Sequence, residues 1–291
     1  MNDPTVFSEL RPLLFSIAYR MLGSVSVAED MVQEAFLRWE RVSAAEVESP
    51  KAYLSSIVTL LCIDHLRSAR VARETYVGPW LPEPVLTGAA GEGPGVEERV
   101  ELADSLSMAF LVLLESLTPV ERAVFLLRET FGYGYEEIAA MVGRSEANCR
   151  QIAVRARKQI EARRPRFQAS SQGRDEITSR FMDACATGDL KGLVELLADD
   201  IVLWSDGGGK VRAARRPIAG RDAMARLLLG LARKWAGQAT VQPAEVNGQA
   251  GFLVEADGQR IGVLVLDIAG DLIRAVRIVV NPDKLTGIGT P

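Results

Sequence analysis

A segment rich in glycine and proline, from Tyr76 to Val100, divides this chain and limits what it can fold into. Nine of its 25 positions are breakers: Gly78, Pro79, Pro82, Pro84, Gly88, Gly91, Gly93, Pro94 and Gly95. Because glycine loosens the backbone and proline removes a hydrogen-bond donor, no long helix or strand can run through it. The sequence therefore predicts folded domains on either side, joined by a linker at residues 76–100.

The residues before this linker follow a helical pattern. Apolar residues recur at helix spacing and the run ends at Gly23: Leu10, Leu13, Leu14, Ile17, Met21 and Leu22. The run Ser26-Val27-Ala28-Glu29 has the form of a capping box and predicts the start of a second helix. Ser49 followed by Pro50 predicts the start of a third. We expect an all-α domain over residues 1–75.

A second all-α domain is predicted over residues 101–166. Thr118-Pro119-Val120-Glu121 is again a capping box, with proline at the first helical position. Further on, the segment 135–150 has the pattern of two short helices joined by a tight turn, in which Gly143 ends the first helix and Ser145 caps the second. This is the pattern of a helix-turn-helix.

Positive charge is concentrated on the second helix of this motif. Residues 144–166 contain eight Arg and Lys against two Glu, in a chain whose net charge is −4. Such a local excess is typical of a DNA-binding surface, the alternative being an ordinary solvated basic helix. We expect bases to be contacted near the start of the helix and phosphates to be bound further along, and the candidate DNA-binding residues are Ser145, Glu146, Asn148, Arg150, Gln151, Arg155, Arg157 and Lys158.

Residues 174–291 change to an α+β pattern, in which helices are followed by a predicted antiparallel sheet. Helical stretches come first, and apolar β-rich runs follow, separated by Asn247-Gly248, Asp257-Gly258 and Gly270-Asp271. The run from Asp206 to Lys210 lacks the spacing of a phosphate-binding loop and predicts a hairpin turn. The region contains no histidine and no tyrosine, so a proton-relay partner for an acidic residue is missing and we do not expect an enzyme.

The helix AEDMVQEAFLRW, from Ala28 to Trp39, resembles the core-polymerase-binding helix of the extracytoplasmic-function (ECF) sigma factors. Periodicity alone favours an amphipathic core helix with a solvated acidic side, and it is the family resemblance that favours docking. The resemblance implies that Asp30, Gln33 and Glu34 meet basic and polar groups of RNA polymerase core.

The segment from Ser49 to Arg73 resembles the helix with which the same family reads the downstream promoter element. On this resemblance Arg67, Arg70 and Arg73 neutralise phosphates. The preceding loop, Val42 to Glu48, is where the family holds a flipped base. The ending RQIAVRARKQI of the helix-turn-helix resembles the helix for the upstream element.

The C-terminal region resembles the SnoaL-like branch of the NTF2-like folds. Two short strings, Trp80-Leu81-Pro82-Glu83-Pro84 and Asn281-Pro282-Asp283-Lys284-Leu285, are similar to those of the sigma-J type, in which a SnoaL-like domain is fused to the sigma factor. The resemblance implies regulation by the attached domain, with no requirement for a separate anti-sigma factor. The candidate regulatory residues are Trp80, Leu81 and Pro82 with Asn281, Pro282, Asp283, Lys284 and Leu285.

The expected function is therefore a sigma factor that binds RNA polymerase core and promoter DNA. The alternative is a ligand-sensing helix-turn-helix regulator that does not join polymerase; an NTF2-like enzyme tethered to DNA is a third, weaker hypothesis. We expect no catalytic residue, no metal and no cofactor, and a C-terminal pocket is a candidate site for a small-molecule ligand. The chain has no apolar stretch long enough for a membrane and no export signal at its start, which favours the cytoplasm.

Overall fold

The computed structural model describes residues 4–42, 47–74, 76–87, 105–162 and 171–288. The chain forms two compact units. The first combines Met1–Thr75 with Phe110–Arg164, and the second combines Tyr76–Ala109 with Pro165–Pro291. The domain predicted at residues 1–75 and most of the one predicted at 101–166 thus fall in the first unit. Residues 101–109 and 165–166 fall in the second unit, together with the α+β region.

The described part of the first unit is helical. Its helices are α1 (Pro4–Leu22), α2 (Val25–Glu40), α3 (Pro50–Glu74), α4 (Met108–Leu114, which begins at the end of the second unit), α5 (Pro119–Glu129), α6 (Tyr135–Val142) and α7 (Glu146–Glu161). Helices α1 to α3 pack on one another, as do α5 to α7. Helix α3 also packs on α5 and α6, and α1 packs on α5, so the two groups share one compact body.

The helix starts agree with the predicted capping residues except at α2. Thr118 forms the capping box with Glu121, and the hydroxyls of Ser49 and Ser145 accept from the backbone N–H groups of Ala52 and Asn148. Helix α2 is capped by Ser24, whose hydroxyl accepts from Val27 N, so the prediction of a capping box at Ser26 was wrong. The cause is Gly23, whose φ of 67° turns the chain at once into the next helix.

The second unit contains three helices and six strands among its described residues. The helices are α8 (Ser171–Thr187), α9 (Leu190–Leu196) and α10 (Arg221–Trp235), and the strands are β1 (Leu197–Asp206), β2 (Ile218–Ala219), β3 (Thr240–Val246), β4 (Gln249–Ala256), β5 (Gln259–Ala269) and β6 (Leu272–Val279). The strand order is β2-β1-β6-β5-β4-β3. The sequence predicted an antiparallel sheet, but β1 pairs parallel to β6. This is possible because a long connection, including α10, separates the two strands.

The hairpin turns predicted at Asn247-Gly248, Asp257-Gly258 and Gly270-Asp271 are present. Asn247 and Asp257 are the described non-glycine residues with positive φ, 53° and 52°, and each is followed by a glycine with φ near 70°. This is the backbone that a tight two-residue hairpin requires. One face of the sheet packs on the helices around a buried apolar cluster that includes Phe181, Met224 and Phe252.

The described part of the predicted linker is not a free connection. Residues 76–87 belong to the second unit, and the segment from Leu81 to Pro84 is buried. Leu86 forms an antiparallel bridge with Val246 at the end of β3. Residues 88–104 lie outside the described part of the chain. None of the described helices is long and apolar enough to span a bilayer.

Candidate functional site

The outer face of α2 carries the residues predicted to meet polymerase. Its inner face buries Ala28, Val32, Ala35 and Trp39, which fixes the orientation of the helix. Asp30 and Gln33 are consequently exposed. Glu34 lies between the two faces and accepts from Arg38 Nε at 2.9 Å, one helical turn further on. The predicted docking residues therefore lie together on the polar side of a well-packed helix.

The downstream-element helix α3 is described only in part. Arg67 is exposed and donates to Asp64 at 3.1 Å on the same helix. The side chains of Arg70 and Arg73 lie outside the described residues, as do residues 43–46 of the loop predicted to hold a flipped base. Arg67 is therefore exposed, as a phosphate contact requires. The roles of Arg70, Arg73 and the loop stay predictions.

The helix-turn-helix has the predicted geometry. Gly143 ends α6 in the left-handed region, with φ of 63° and ψ of 46°, and its N–H donates to Ala139 O. Ser145 then caps α7 through the backbone N–H of Asn148 at 3.3 Å. An apolar stripe holds α7 on the domain, formed by Cys149, Ile152, Ala153, Ala156 and Ile160. This packing directs the opposite side of α7 into solvent.

All the predicted DNA-binding residues of α7 and its cap are exposed, namely Ser145, Glu146, Asn148, Arg150, Gln151, Arg155, Arg157 and Lys158. Two of the arginines already have partners. Arg150 forms an ion pair with Glu146, and its guanidinium lies 4.8 Å from the centre of the Tyr135 ring. Arg157 donates to Glu129 at 2.6 Å. These contacts hold the guanidinium groups on the exposed face of the motif.

A buried carboxylate, Asp206, organises the regulatory residues of the second unit. It has no exposed surface, and its two oxygens accept four hydrogen bonds. The donors are the Tyr76 hydroxyl at 2.5 Å, Gly208 N at 3.0 Å, Leu81 N at 2.9 Å and Lys284 Nζ at 2.7 Å. Three segments distant in sequence thus meet at one side chain, and we call this cluster the Asp206 junction.

Lys284 makes the junction more than a single ion pair. Its ammonium group donates to Asp206 and also to the carbonyl oxygen of Leu81 at 2.5 Å. It lies 4.4 Å from the centre of the Trp80 ring and 5.2 Å from that of Tyr76. Aromatic faces attract a cation. Lys284 therefore holds the start of the predicted linker against the end of the sheet.

The remaining junction contacts explain the glycines after Asp206. Asn281 Nδ2 donates to the Tyr76 hydroxyl at 3.1 Å, and burial, reinforced by the bond to Asp206, raises the pKa of that phenol. A side chain at Gly208 would lie 2.4 Å from Asn281 Nδ2, and one at Gly209 would lie 3.2 Å from Val77. The turn predicted from Asp206 to Lys210 thus packs closely against the linker and against Asn281.

The predicted regulatory residues are not all in the junction. Trp80, Leu81, Asn281 and Lys284 are, and Leu285 is buried beside them in sequence. Pro82 is buried, whereas Pro282 and Asp283 are exposed. Asp283 pairs with Lys210 at 2.6 Å on the surface. A cavity of about 370 Å³ lies beside the junction, lined by Val77, Gly78 and residues of the loop that follows β1.

Comparison with known proteins identifies the family. Sigma-70 region 2 matches residues 6–71, and Sigma-70, region 4 matches residues 107–160. The ECF RNA polymerase sigma factor SigJ of Mycobacterium tuberculosis is 37% identical to this chain, over 97% of the chain and 92% of the relative. The chain belongs to the ECF RNA polymerase sigma factors.

Two further likenesses extend over almost the whole of this ECF sigma factor. The probable ECF RNA polymerase sigma factor SigI of M. tuberculosis is 34% identical, over 94% of the chain and 92% of the relative. The crystal structure of M. tuberculosis SigJ matches with a TM-score of 0.78 at 34% identity, covering 99% of this chain and all of that one. The predicted fold class, two all-α sigma domains and a C-terminal α+β domain, is confirmed. The alternative of a regulator that never joins polymerase is not favoured.

A second contact between the linker and the C-terminal domain of this ECF sigma factor was not predicted from the sequence. Asn247 is fully buried at the β3–β4 turn. It forms hydrogen bonds with Val85 and Leu106, which lie near the two ends of the connection between the sigma regions. Its amide Oδ1 accepts from Val85 N at 3.0 Å, its backbone N–H donates to Val85 O at 2.8 Å, and its Nδ2 donates to Leu106 O at 3.0 Å. Gln249 Oε1 accepts from Met108 N at 2.8 Å.

We call Asn247 with Gln249 the hairpin clamp. Its residues were visible in the sequence only as a turn signal, because Asn-Gly is favoured in hairpins for its backbone alone. The partners of the Asn247 side chain lie more than 130 residues away in sequence. No periodic pattern around Asn247 could have indicated them. Asp206 was likewise assigned to a turn, and its burial was not predicted.

We predict that Asp206→Asn destabilises the junction by about 3 to 5 kcal/mol, because it leaves the charge of Lys284 buried without its partner. The measurement is hydrogen exchange at the Leu81 amide, which donates to Asp206. The matched control is Asp283→Asn, which removes the same charge from an exposed pair and should change little. Parental protection of Leu81 in Asp206→Asn would show that the junction does not hold the linker.

Proposed function

We propose that this ECF sigma factor docks on core RNA polymerase through α2, reads two promoter elements through α3 and α7, and is regulated by its own C-terminal domain. The observation that carries the proposal is that both ends of the connection between the two sigma regions are bonded to the C-terminal domain. The Asp206 junction and the hairpin clamp hold residues 76–87 and 106–108 on the same unit. The C-terminal domain, which we propose as the regulator, thus holds the connection between the two sigma regions that carry α3 and α7.

Docking through α2 is supported by the chemistry of its exposed face. Asp30 and Gln33 are exposed, Glu34 is partly so, and Leu37 next to them is 41% exposed. A face with negative charge around an apolar residue fits a partner surface of basic and polar groups, for which charge sets orientation and association rate. The same face is not needed for the helix's own packing, which uses Ala28, Val32, Ala35 and Trp39.

Promoter reading is supported by the order of the exposed residues along α7. The residues from Glu146 to Gln151 lie in the first turns, where a helix entering the major groove meets base edges. Arg155, Arg157 and Lys158 follow one to two turns later, where cations suit phosphates. The exposed Arg67 on α3 is placed to neutralise phosphate near the downstream element.

Regulation by the attached domain follows from tethering. A covalently attached domain acts at an effective concentration in the millimolar range, so its contacts with the connection form without a separate protein. A free connection rich in glycine would sample many separations of the two sigma regions. The junction and the clamp remove much of that freedom. We infer that a separate anti-sigma factor is not required.

The C-terminal domain acts here as a binding and positioning domain without catalysis. The space between its helices and sheet is filled by apolar side chains, among them Phe181, Met224 and Phe252, where a substrate pocket is expected. Asp206, whose oxygens accept from the Tyr76 hydroxyl, Leu81 N, Gly208 N and Lys284 Nζ, is fully buried and is used in holding the linker. The cavity beside the junction, outside this core, is the candidate site for a small-molecule ligand.

For α2, we predict that charge reversal of Asp30 and Glu34 together, each to Lys, weakens core binding about tenfold or more at low salt, with a smaller effect at high salt. Titration of labelled core polymerase at several salt concentrations measures this. The control is reversal of Asp175 and Glu176, which are exposed on α8 of the other unit. Equal affinities for parent and α2 variant at every salt concentration, with unchanged melting, contradict the docking assignment.

For α7, we predict that Arg150→Ala weakens promoter-specific binding by about 1 to 3 kcal/mol, the usual worth of a bidentate base contact, and leaves core binding intact. Arg226→Ala, an exposed arginine of α10, is the control and should have no effect. Binding of holoenzyme to promoter and to random DNA is compared. Equal weakening on both would reassign Arg150 to a phosphate contact.

For the hairpin clamp, we predict that Asn247→Gly lowers promoter-specific initiation several-fold, because the connection regains conformational freedom while the turn keeps its backbone. The amides of Val85 and Met108 should lose protection from hydrogen exchange. The matched control is Asp257→Gly, at the same position of the next hairpin, with φ of 52° and an exposed side chain. If both variants initiate at the parental rate although Asn247→Gly frees the connection, the clamp has no role in regulation.

A further inference from the structure

The cavity beside the Asp206 junction carries positive charge that the proposed function does not use. Its volume is about 370 Å³, and it is lined by Val77 and Gly78 of the linker, by Ser205 and by residues of the loop between β1 and β2. We propose that this cavity binds a small organic anion carrying phosphate or carboxylate groups, and that the bound anion fixes the linker to this loop. The inference rests on the proposed regulation by the C-terminal domain and names the chemical class of its ligand.

The loop between β1 and β2, residues 207–217, contains four cationic residues and no acidic one, and we call it the basic loop. Three of the four line the cavity, namely Lys210, Arg212 and Arg215. Lys210 is paired with Asp283 at 2.6 Å. Arg212 and Arg215 are exposed, and neither guanidinium pairs with any residue that the structure describes. Two arginines thus line one cavity without a counter-charge among the described residues.

The charge of this lining favours an anionic occupant. A cleft lined by one sign of charge concentrates counter-ions within it. None of the described residues that line it is acidic. Guanidinium groups also match the geometry of carboxylate and phosphate, with which they form two parallel charge-assisted hydrogen bonds. The chemistry of the lining therefore selects an oxyanion and disfavours a cationic ligand.

Ser205 is a second, independent indication that the cavity accepts a polar ligand. It lines the cavity at the end of β1 and is 8% exposed. Its hydroxyl forms no hydrogen bond with any residue that the structure describes. A buried hydroxyl that lacks a partner is destabilising, and a ligand oxyanion can accept its proton in a hydrogen bond.

Both walls of the cavity are in place before a ligand binds. The backbone N–H groups of Lys210 and Val211 donate to Gly207 O at 3.0 and 3.3 Å, which closes the turn at the start of the basic loop. On the linker side Gly78 has φ of 88°, and a Cβ atom there would lie 3.7 Å from the Cα of Arg215. A site whose walls are already ordered loses little conformational entropy on binding.

The size of the cavity indicates a small molecule. Its volume lies near the lower end of the range for ligand pockets, roughly 300 to 1,000 Å³. The phosphates of duplex DNA are the competing anions, but a duplex cannot enter a space of this size. Arg216 distinguishes the two, because it is exposed on the same loop but does not line the cavity. A DNA backbone can contact Arg216 as readily as Arg212, whereas a small anion in the cavity cannot.

The position of the cavity couples the ligand to the linker. Val77 and Gly78 lie between Tyr76 and Leu81, which both donate to Asp206. An anion bound by the basic loop opposite Val77 and Gly78 adds a contact to the part of the linker that the junction already holds. Because coupling between two binding events is reciprocal, a held linker also binds the anion more tightly.

The test measures binding of pyrophosphate and of citrate to the full-length protein by titration calorimetry at low salt. The two probes separate phosphate from carboxylate recognition, and we expect at least one to bind. Joint substitution of Arg212→Gln and Arg215→Gln should raise its Kd about tenfold or more, because the charge-assisted bonds are lost. Arg216→Gln is the matched control, which removes the same charge outside the cavity and should change Kd by less than about twofold.

Hydrogen exchange tests the coupling to the linker in the same samples. A saturating concentration of the probe that binds should slow exchange at the amides of Val77, Gly78 and Leu81 in the parent. The double variant should show no such slowing at the same concentration. Both substituted arginines are exposed, so melting of the variant without ligand should match the parent and show that it is folded.

The inference is overturned if neither probe binds the folded parent. It is also overturned if Arg216→Gln weakens binding as much as the double variant, which indicates diffuse attraction to the loop, or if binding leaves exchange in the linker unchanged. Failure of the parent to initiate from its promoter with core polymerase contradicts the proposed function itself. Normal initiation that depends on the junction and the clamp, with no probe bound, contradicts only the anion site.

Discussion

The buried carboxylate of Asp206 is the interaction on which the arrangement of the C-terminal unit depends. A charge removed from water costs several kcal/mol unless it is paired and fully hydrogen-bonded. Its four donors come from the linker, from the loop after β1 and from the segment after β6. Those segments must therefore meet at one place, which makes residues 76–87 of the linker part of the C-terminal unit.

Under the proposed function, this constraint joins promoter recognition to regulation within one chain. Residues 76–87 leave the end of α3 and are held by the junction, and the segment that leads into α4 is held by Asn247 and Gln249. The C-terminal domain thus fixes the two points between which residues 88–104 run. We propose that a change at the junction or at the neighbouring cavity reaches both sigma regions through this covalent connection, without a separate protein.

The sequence predicted those features that depend on local pattern. The caps Thr118 and Ser145, the αL glycine Gly143 and the buried stripe of α7 are local, and the structure has all of them. The contacts of Asp206 and Asn247 could not be predicted, because each depends on partners more than 70 residues away and neither side chain has a periodic signature. The parallel pairing of β1 with β6 has the same cause. Ser24 displaced the predicted cap at Ser26 because Gly23 shortens the turn.

The central proposal is that this ECF sigma factor carries its own regulator and needs no protein other than core RNA polymerase to direct initiation. The most direct measurement is sequencing of transcript 5′ ends produced from genomic DNA by purified core polymerase with the full-length protein alone. The account predicts discrete start sites that share two upstream elements and that are absent when the protein is omitted. Start sites no different from those of core polymerase alone, although the protein is folded and binds core, would contradict it.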